Sequence, residues 1–149
     1  MKDNKLGSVI EGEEYLVLHE FVKKAKEKLS IETWDYLIGA SETETTFKRN
    51  RFALDSLAFR PRVLRDVENI DITSNFLGHE LRIPVILAPI GSMQDFVVGA
   101  GLAPTLAAAE FGAMHMISST CMPGLEEVAK SANYPKCFQL YVRGDQEWV

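Results

Sequence analysis

Gln139 and Tyr141 interrupt an otherwise apolar run, Cys137-Phe138-Gln139-Leu140-Tyr141-Val142. Side chains two apart on a strand share a face. Cys137, Gln139 and Tyr141 are therefore expected on one side, and Phe138, Leu140 and Val142 on the other. An amide can donate to and accept from a planar heterocycle. Two earlier apolar runs also end in groups other than aliphatic filler. IPVILAPIG, 83–91, closes on Pro89, Ile90 and Gly91, where the missing Cβ lets backbone approach a ligand. MHMISST, 114–120, closes on Ser118, Ser119 and Thr120. Each ending alone has a bland account as a turn, a helix cap or a satisfied buried amide. Three of them converging on one mouth describe a binding site.

The elements that must carry these groups follow from period and punctuation. Residues 13–29 place Leu18, Val22, Ala25 and Leu29 on one helical stripe with Lys and Glu opposite. Ser30 can cap a second helix bearing Trp34, Leu37 and Ile38, which loosens at Gly39. Ser41 and Glu44 have capping-box spacing before a third helix running to Leu57. Pro61 forbids a regular helix in FRPRVLRDV, 59–67. DITSNFLGHELRIP, 71–84, reads as a hairpin turning at Gly78.

From residue 84 the rhythm becomes strand, helix, strand, helix, strand, helix. GLAPTLAAAEFG is an Ala-rich helix closed by Gly112. PGLEEVAKSA is a helix with acids in its first turn and Lys130 near its end, and Asp145 caps the start of another. Near-continuous apolar strands alternating with helices give a parallel sheet covered by helices. Ligand sites in such folds lie at the carboxyl ends of the strands, where the three polar endings stand. The fold class is α/β: the N-terminal part of a TIM (β/α)₈ barrel, with about three βα units. A full barrel needs about 250 residues, and a three-stranded sheet would leave its last strand bare. The expected organisation is a helical segment, 1–67, then a hairpin and the incomplete barrel, 68–149.

Composition narrows the function classes. A net charge of −5, from 16 basic and 21 acidic side chains, argues against nucleic acid as a partner. The apolar stretch near residue 84 is too short to span a bilayer, and the Lys- and Glu-rich start offers no secretory signal. An intracellular, cytoplasmic protein is expected. Cys121 and Cys137 fit no disulfide framework, and His19, His79 and His115 are scattered, so no metal is assigned. GAGLAP, 99–104, fails as a dinucleotide fingerprint: Pro104 replaces the third glycine, and no acid closes the next strand. Lys48, Arg49, Arg51, Arg60, Arg62 and Arg65 are interleaved with Asp55 and Asp66, which describes a solvated or ion-paired surface rather than a phosphate-binding patch.

WDYLIGASETETTFKRNR, FRPRVLRDV, IPVILAPIG, ISST, LEEVA and FQLYV occur in an order and spacing that resemble the FMN-dependent 2-hydroxy-acid dehydrogenases and oxidases, the glycolate oxidase, lactate oxidase and lactate monooxygenase type. The resemblance runs from about Leu18 to the last residue. It implies an FMN-holding TIM barrel behind a helical preface. Pro89, Ile90 and Gly91 match the segment whose backbone lies against the flavin. Ser118 and Gln139 match flavin-contacting residues. Tyr36 matches the tyrosine that reaches the substrate carboxylate, and Tyr141 the one that assists at the substrate oxygen as a catalytic group. Thr120 stands at a substrate-touching position that is often larger and aromatic. Ala40 replaces a common glycine, Ile90 a common threonine, and VVGAGL, 97–102, the usual His-Pro-acid-Gly-acid stretch.

The implied reaction is oxidation of a small 2-hydroxy acid to a 2-oxo acid by hydride transfer to flavin, in a homo-oligomer when full length. The family's histidine base, carboxylate-binding arginine and flavin-supporting lysine match nothing in this chain. The chain by itself is therefore expected to be inactive. Two alternatives are a non-catalytic truncated product and another FMN barrel, such as the flavin-dependent isopentenyl-diphosphate isomerase type.

Overall fold

The computed structural model describes residues 15–147, which form two compact units, 15–70 and 71–147. The first is helical. Helix α1 spans Leu18–Lys28, α2 Ile31–Ile38 and α3 Thr45–Asp55. The Ser30 side chain accepts from the Thr33 N–H at 3.2 Å, the cap expected of it. Helix α2 ends at Gly39, as its sequence indicates. None of the three helices buries a residue. Their packing is peripheral: Lys26 lies 5.8 Å from the Trp34 ring centre, and Tyr15 stacks on Phe21 at 4.1 Å.

Two expectations in this unit need correction. Helix α1 begins at Leu18 rather than at residue 13, and residues 13 and 14 lie outside the described residues. Ser41 does not cap α3. Glu44 donates its N–H to the Ser41 carbonyl at 2.9 Å, closing a tight turn, and Glu44 itself is the N-cap in a left-handed conformation (φ 57°). The turn consumes the residues that a capping box would use. Two members of the basic run on α3, Lys48 and Arg51, have acidic partners. Arg51 pairs with Asp55 one turn on, raising the guanidinium pKa and lowering that of the carboxyl, and Lys48 lies 3.9 Å from Glu44.

The second unit opens with a hairpin, β1 (Ser74–Phe76) against β2 (His79–Leu81), antiparallel, with Leu77 and Gly78 at the turn. The carboxylate of Asp71 accepts the N–H and hydroxyl of Thr73, which lowers its pKa and sets the approach to β1. Strands β3 (Ile86–Leu87), β4 (Met114–Ser118) and β5 (Lys136–Gln139) follow, separated by α4 (Leu102–Phe111) and α5 (Leu125–Lys130). They form a parallel sheet in the order β3-β4-β5. Strand β3 is short because Pro89, just beyond it, has no N–H for the ladder. Helix α4 closes on Gly112 at φ 88°, where a Cβ would also sit 3.1 Å from that of Arg82.

The core lies between sheet and helices. Ile117, Val128, Ala108 and Ala113 are buried there, while Met114, on the opposite face of β4, and Leu81, in the hairpin, are buried as well. His115 is 3% exposed and points at α4, where its Nδ1 is 2.8 Å from the Thr105 hydroxyl. Thr105 donates its one proton to the Gly101 carbonyl, also at 2.8 Å, so the ring nitrogen must donate to Thr105. The buried imidazole thus carries a proton on Nδ1.

Burial lowers the pKa of His115 below its usual range. The unfolded chain then takes up the proton first, so stability is full above about pH 6.5 and falls as the pH drops below it. Lys136 stands opposite His115 in the ladder. Urea titrations of the chain and of His115→Gln at about pH 7 and pH 5 check this. The unsubstituted chain is expected to lose more stability than the variant across that interval. Equal losses refute the assignment.

Candidate functional site

Alternation along β4 assigns the two faces of the sheet. His115 and Ile117 face the helices, so Met114, Met116 and Ser118 face the other way. The ladder pairs Ser118 with Gln139 and Met116 with Cys137. Side-chain contacts agree: the Cys137 thiol lies 3.3 Å from the Met114 sulfur, and the Ser118 hydroxyl donates to Gln139 Oε1 at 3.2 Å. The amide at 139 therefore points away from the helices, at the carboxyl end of the sheet.

Three loops close around that point. The Ser118 Oγ lies 3.2 Å from the Thr120 hydroxyl and accepts the Thr120 N–H at 3.3 Å. The Ser119 N–H reaches the Gln139 carbonyl at 3.1 Å, the last rung between β4 and β5. Gly91 lies beside them. A Cβ built there would stand 2.4 Å from Thr120 Oγ1 and 3.7 Å from Ser118 Oγ. The Ser92 N–H donates to the Thr120 carbonyl at 3.2 Å, which ties the loop after β3 to the loop after β4. Gln94 accepts the Met122 N–H at 3.1 Å, and the Gly101 N–H reaches the Met122 carbonyl at 3.1 Å.

The structure thus brings Gly91, Ser118, Thr120 and Gln139 together, with Pro89 half-buried and Ile90 46% exposed just before them. The extent of β5 is a correction: the strand expected to run through Val142 ends at Gln139, short of Tyr141. Tyr141 lies two residues past the end of β5, 52% exposed, with Arg143 5.5 Å from its ring centre. Strand β4 has already turned away at Ser119, so no ladder continues to hold residue 141 on the face of Gln139. Tyr36 lies on α2 in the helical unit and is 71% exposed. Past Tyr141, Asp145 accepts the Glu147 N–H at 3.2 Å. The helix expected to start there runs outside the described residues.

Neither histidine of this unit joins the cluster. His115 faces the helices, and His79 is exposed in the hairpin. Both cysteines are free; burial pushes the Cys121 thiol pKa up, and its S–H donates to the Met122 carbonyl at 3.3 Å. Sequence reasoning missed Gln94, which lies in an aperiodic loop and leaves no pattern. It also missed the bond from Thr120 to Ser118, although a hydroxyl pair two residues apart at a strand end is a recurrent local motif.

A model of the FMN-dependent dehydrogenases matches residues 25–149. The chain belongs to this family. Glycolate oxidase of Spinacia oleracea is 36% identical over 133 residues, which make up 89% of this chain and 36% of that protein. Glycolate oxidase 1 of Zea mays is 35% identical over 130 residues, 87% of this chain and 35% of that protein. The structure of mandelate oxidase with benzoyl-formic acid superposes with a TM-score of 0.86 at 30% identity, covering 91% of this chain and 40% of that one. The chain thus spans little more than a third of the length of these curated relatives, and the expected α/β class with the opening units of a TIM barrel is the fold it has. Among the described residues no helix is long and apolar enough to cross a membrane.

The residues at the strand ends fit the flat ring of the flavin that gives the family its name. Gly91 leaves a strip beside Thr120 and Ser118 that any Cβ would fill, and Gln139 offers amide hydrogens at the ladder's end. Gly91→Ala forces the Thr120 hydroxyl out of its bond to Ser118. It is expected to destabilise the chain by about 1 kcal/mol, the worth of one neutral hydrogen bond. Adding Thr120→Ala removes the clashing oxygen, so the double variant should be no less stable than Thr120→Ala alone. Urea midpoints of the three variants test this, and a full additive loss in the double variant contradicts it.

Proposed function

We propose that the whole protein is an FMN-dependent oxidoreductase that converts a small 2-hydroxy acid to the 2-oxo acid, and that this chain supplies one wall of its flavin pocket. The observation that carries this reading is the cluster of Gly91, Ser118, Thr120 and Gln139 at the carboxyl ends of a parallel sheet, in a chain of the FMN-dependent dehydrogenase family. That end of the sheet is where parallel α/β folds build their sites.

Pro89, Ile90 and Gly91 would give the ring a flat backbone bed. Ser118 and Gln139 would hold its polar edge. When bound, the flavin supplies a hydride acceptor. Tyr36 and Tyr141 keep the roles implied by their positions in the family pattern, toward the substrate carboxylate and the substrate oxygen, with Tyr141 as the catalytic candidate. Thr120 is small, which leaves room for a substrate side chain. A hydroxy acid loses its hydroxyl proton as it is oxidised, and a general base must take it; His115, turned to the helices, is not placed to do so. The relatives' names support the substrate class: glycolate and mandelate are both 2-hydroxy acids.

Titrating the chain into FMN and following flavin fluorescence tests the pocket. Saturable quenching is expected, with Gln139→Leu weakening it roughly tenfold, the loss that goes with a charge-free but otherwise unreplaced amide contact. Anaerobic addition of glycolate, lactate or mandelate to the chain with FMN should leave the flavin's visible absorption unchanged, because no base is at hand. Rapid bleaching overturns that assignment, and absence of any quenching overturns the pocket.

A further inference from the structure

Ser118, Thr120 and Gln139 form a directed chain of hydrogen bonds, and counting protons fixes its direction. The Gln139 Oε1 can only accept, so Ser118 spends its single hydroxyl proton there, at 3.2 Å. The Ser118 oxygen already accepts the Thr120 N–H at 3.3 Å. The remaining contact, 3.2 Å between the two hydroxyls, must therefore run from Thr120 to Ser118. Ser118 then accepts twice and donates once, which exhausts its capacity. Ser118 itself is 5% exposed, so the middle of the chain is shielded while Thr120 reaches the exposed rim.

The consequence falls on the amide. With Oε1 engaged by Ser118, the face that Gln139 turns to a ligand is its NH₂ group. An amide free to rotate could present either end; this one presents donors. Gly91 clears the space beside the same hydroxyl pair.

We propose that Thr120 is a positioning residue: acting through Ser118, it holds Gln139 as a donor toward an acceptor edge of the bound ring. A carbonyl oxygen or an unprotonated ring nitrogen fits that donor, and a ring N–H does not. This rests on the flavin reading above. It gives Thr120 a task beyond leaving room for substrate, and a task that a larger aromatic side chain at 120 could not perform.

The variants are Thr120→Val, which keeps the shape and removes the hydroxyl, and Thr120→Ser, which restores it. Two readouts separate the proposal from the reading on which it rests. The first needs no flavin: the side-chain NH₂ resonances of Gln139 in a nitrogen–proton correlation spectrum of the chain, assigned with Gln139→Leu. Thr120→Val should move them, and Thr120→Ser should leave them near their original positions. The second is FMN affinity by fluorescence quenching. Thr120→Val should raise the dissociation constant roughly three- to tenfold, the range one neutral hydrogen bond supports, with Thr120→Ser within about twofold of the unsubstituted chain. Unmoved resonances in Thr120→Val overturn the relay. Moved resonances with unchanged FMN affinity overturn its role toward the ring. If the unsubstituted chain binds no FMN, the pocket reading fails, and the relay still stands or falls on the resonances.

Discussion

The rung that pairs Ser118 with Gln139 is the constraint on which the site depends. Side chains on a strand alternate with period two, so a slip of one residue between β4 and β5 would send Gln139 to the helix side and bring an apolar neighbour to the mouth. Lys136 guards against that slip. Its ammonium donates to the carbonyls of Ala132 and, at 2.9 Å, Tyr134, closing the turn before β5. Burial lowers the pKa of this amine, yet its bonds to main-chain carbonyls need a donor and hold it in place. The Ser119 N–H then seals the far end of the strand on the Gln139 carbonyl. Between these two anchors β5 has one register.

The two faces of the same strand β4 divide the work. One side meets α4 through His115 and the buried Ile117, where a neutral imidazole bonded to Thr105 joins sheet to helix. The other side carries Ser118, which meets only hydroxyl and amide groups at the loop ends. Polar groups on the helix side are spent on the fold's own bonds. Polar groups at the mouth leave donor capacity over, and that surplus separates a site from a satisfied core.

Much of this order was legible in the residues. Ser30, Gly39, Gly78 and Gly112 punctuate the elements where the sequence indicates, since each satisfies or permits a backbone geometry that is local. The alternation of apolar strands with Ala-rich and acid-led helices set the parallel α/β class. The failures were also local in origin. Ser41 and Glu44 have the spacing of a capping box, but the chain spends them on a turn. The period of β5 continues through Leu140, Tyr141 and Val142, but a strand needs a neighbour, and β4 ends at Ser118, so the strand stops at Gln139.

What the sequence determined by itself is the kind of element and the chemistry available at each strand end, because period, caps and side-chain type act within a few residues. Tertiary structure decided the rest. Only the register between strands far apart in the chain could bring Ser118 against Gln139 and leave Gly91 bare beside Thr120. Those contacts join residues roughly twenty to thirty positions apart, and no local pattern encodes which of several polar groups will meet. The direction of the hydrogen-bond chain has the same source: one hydroxyl proton must choose among acceptors that only the folded sheet assembles.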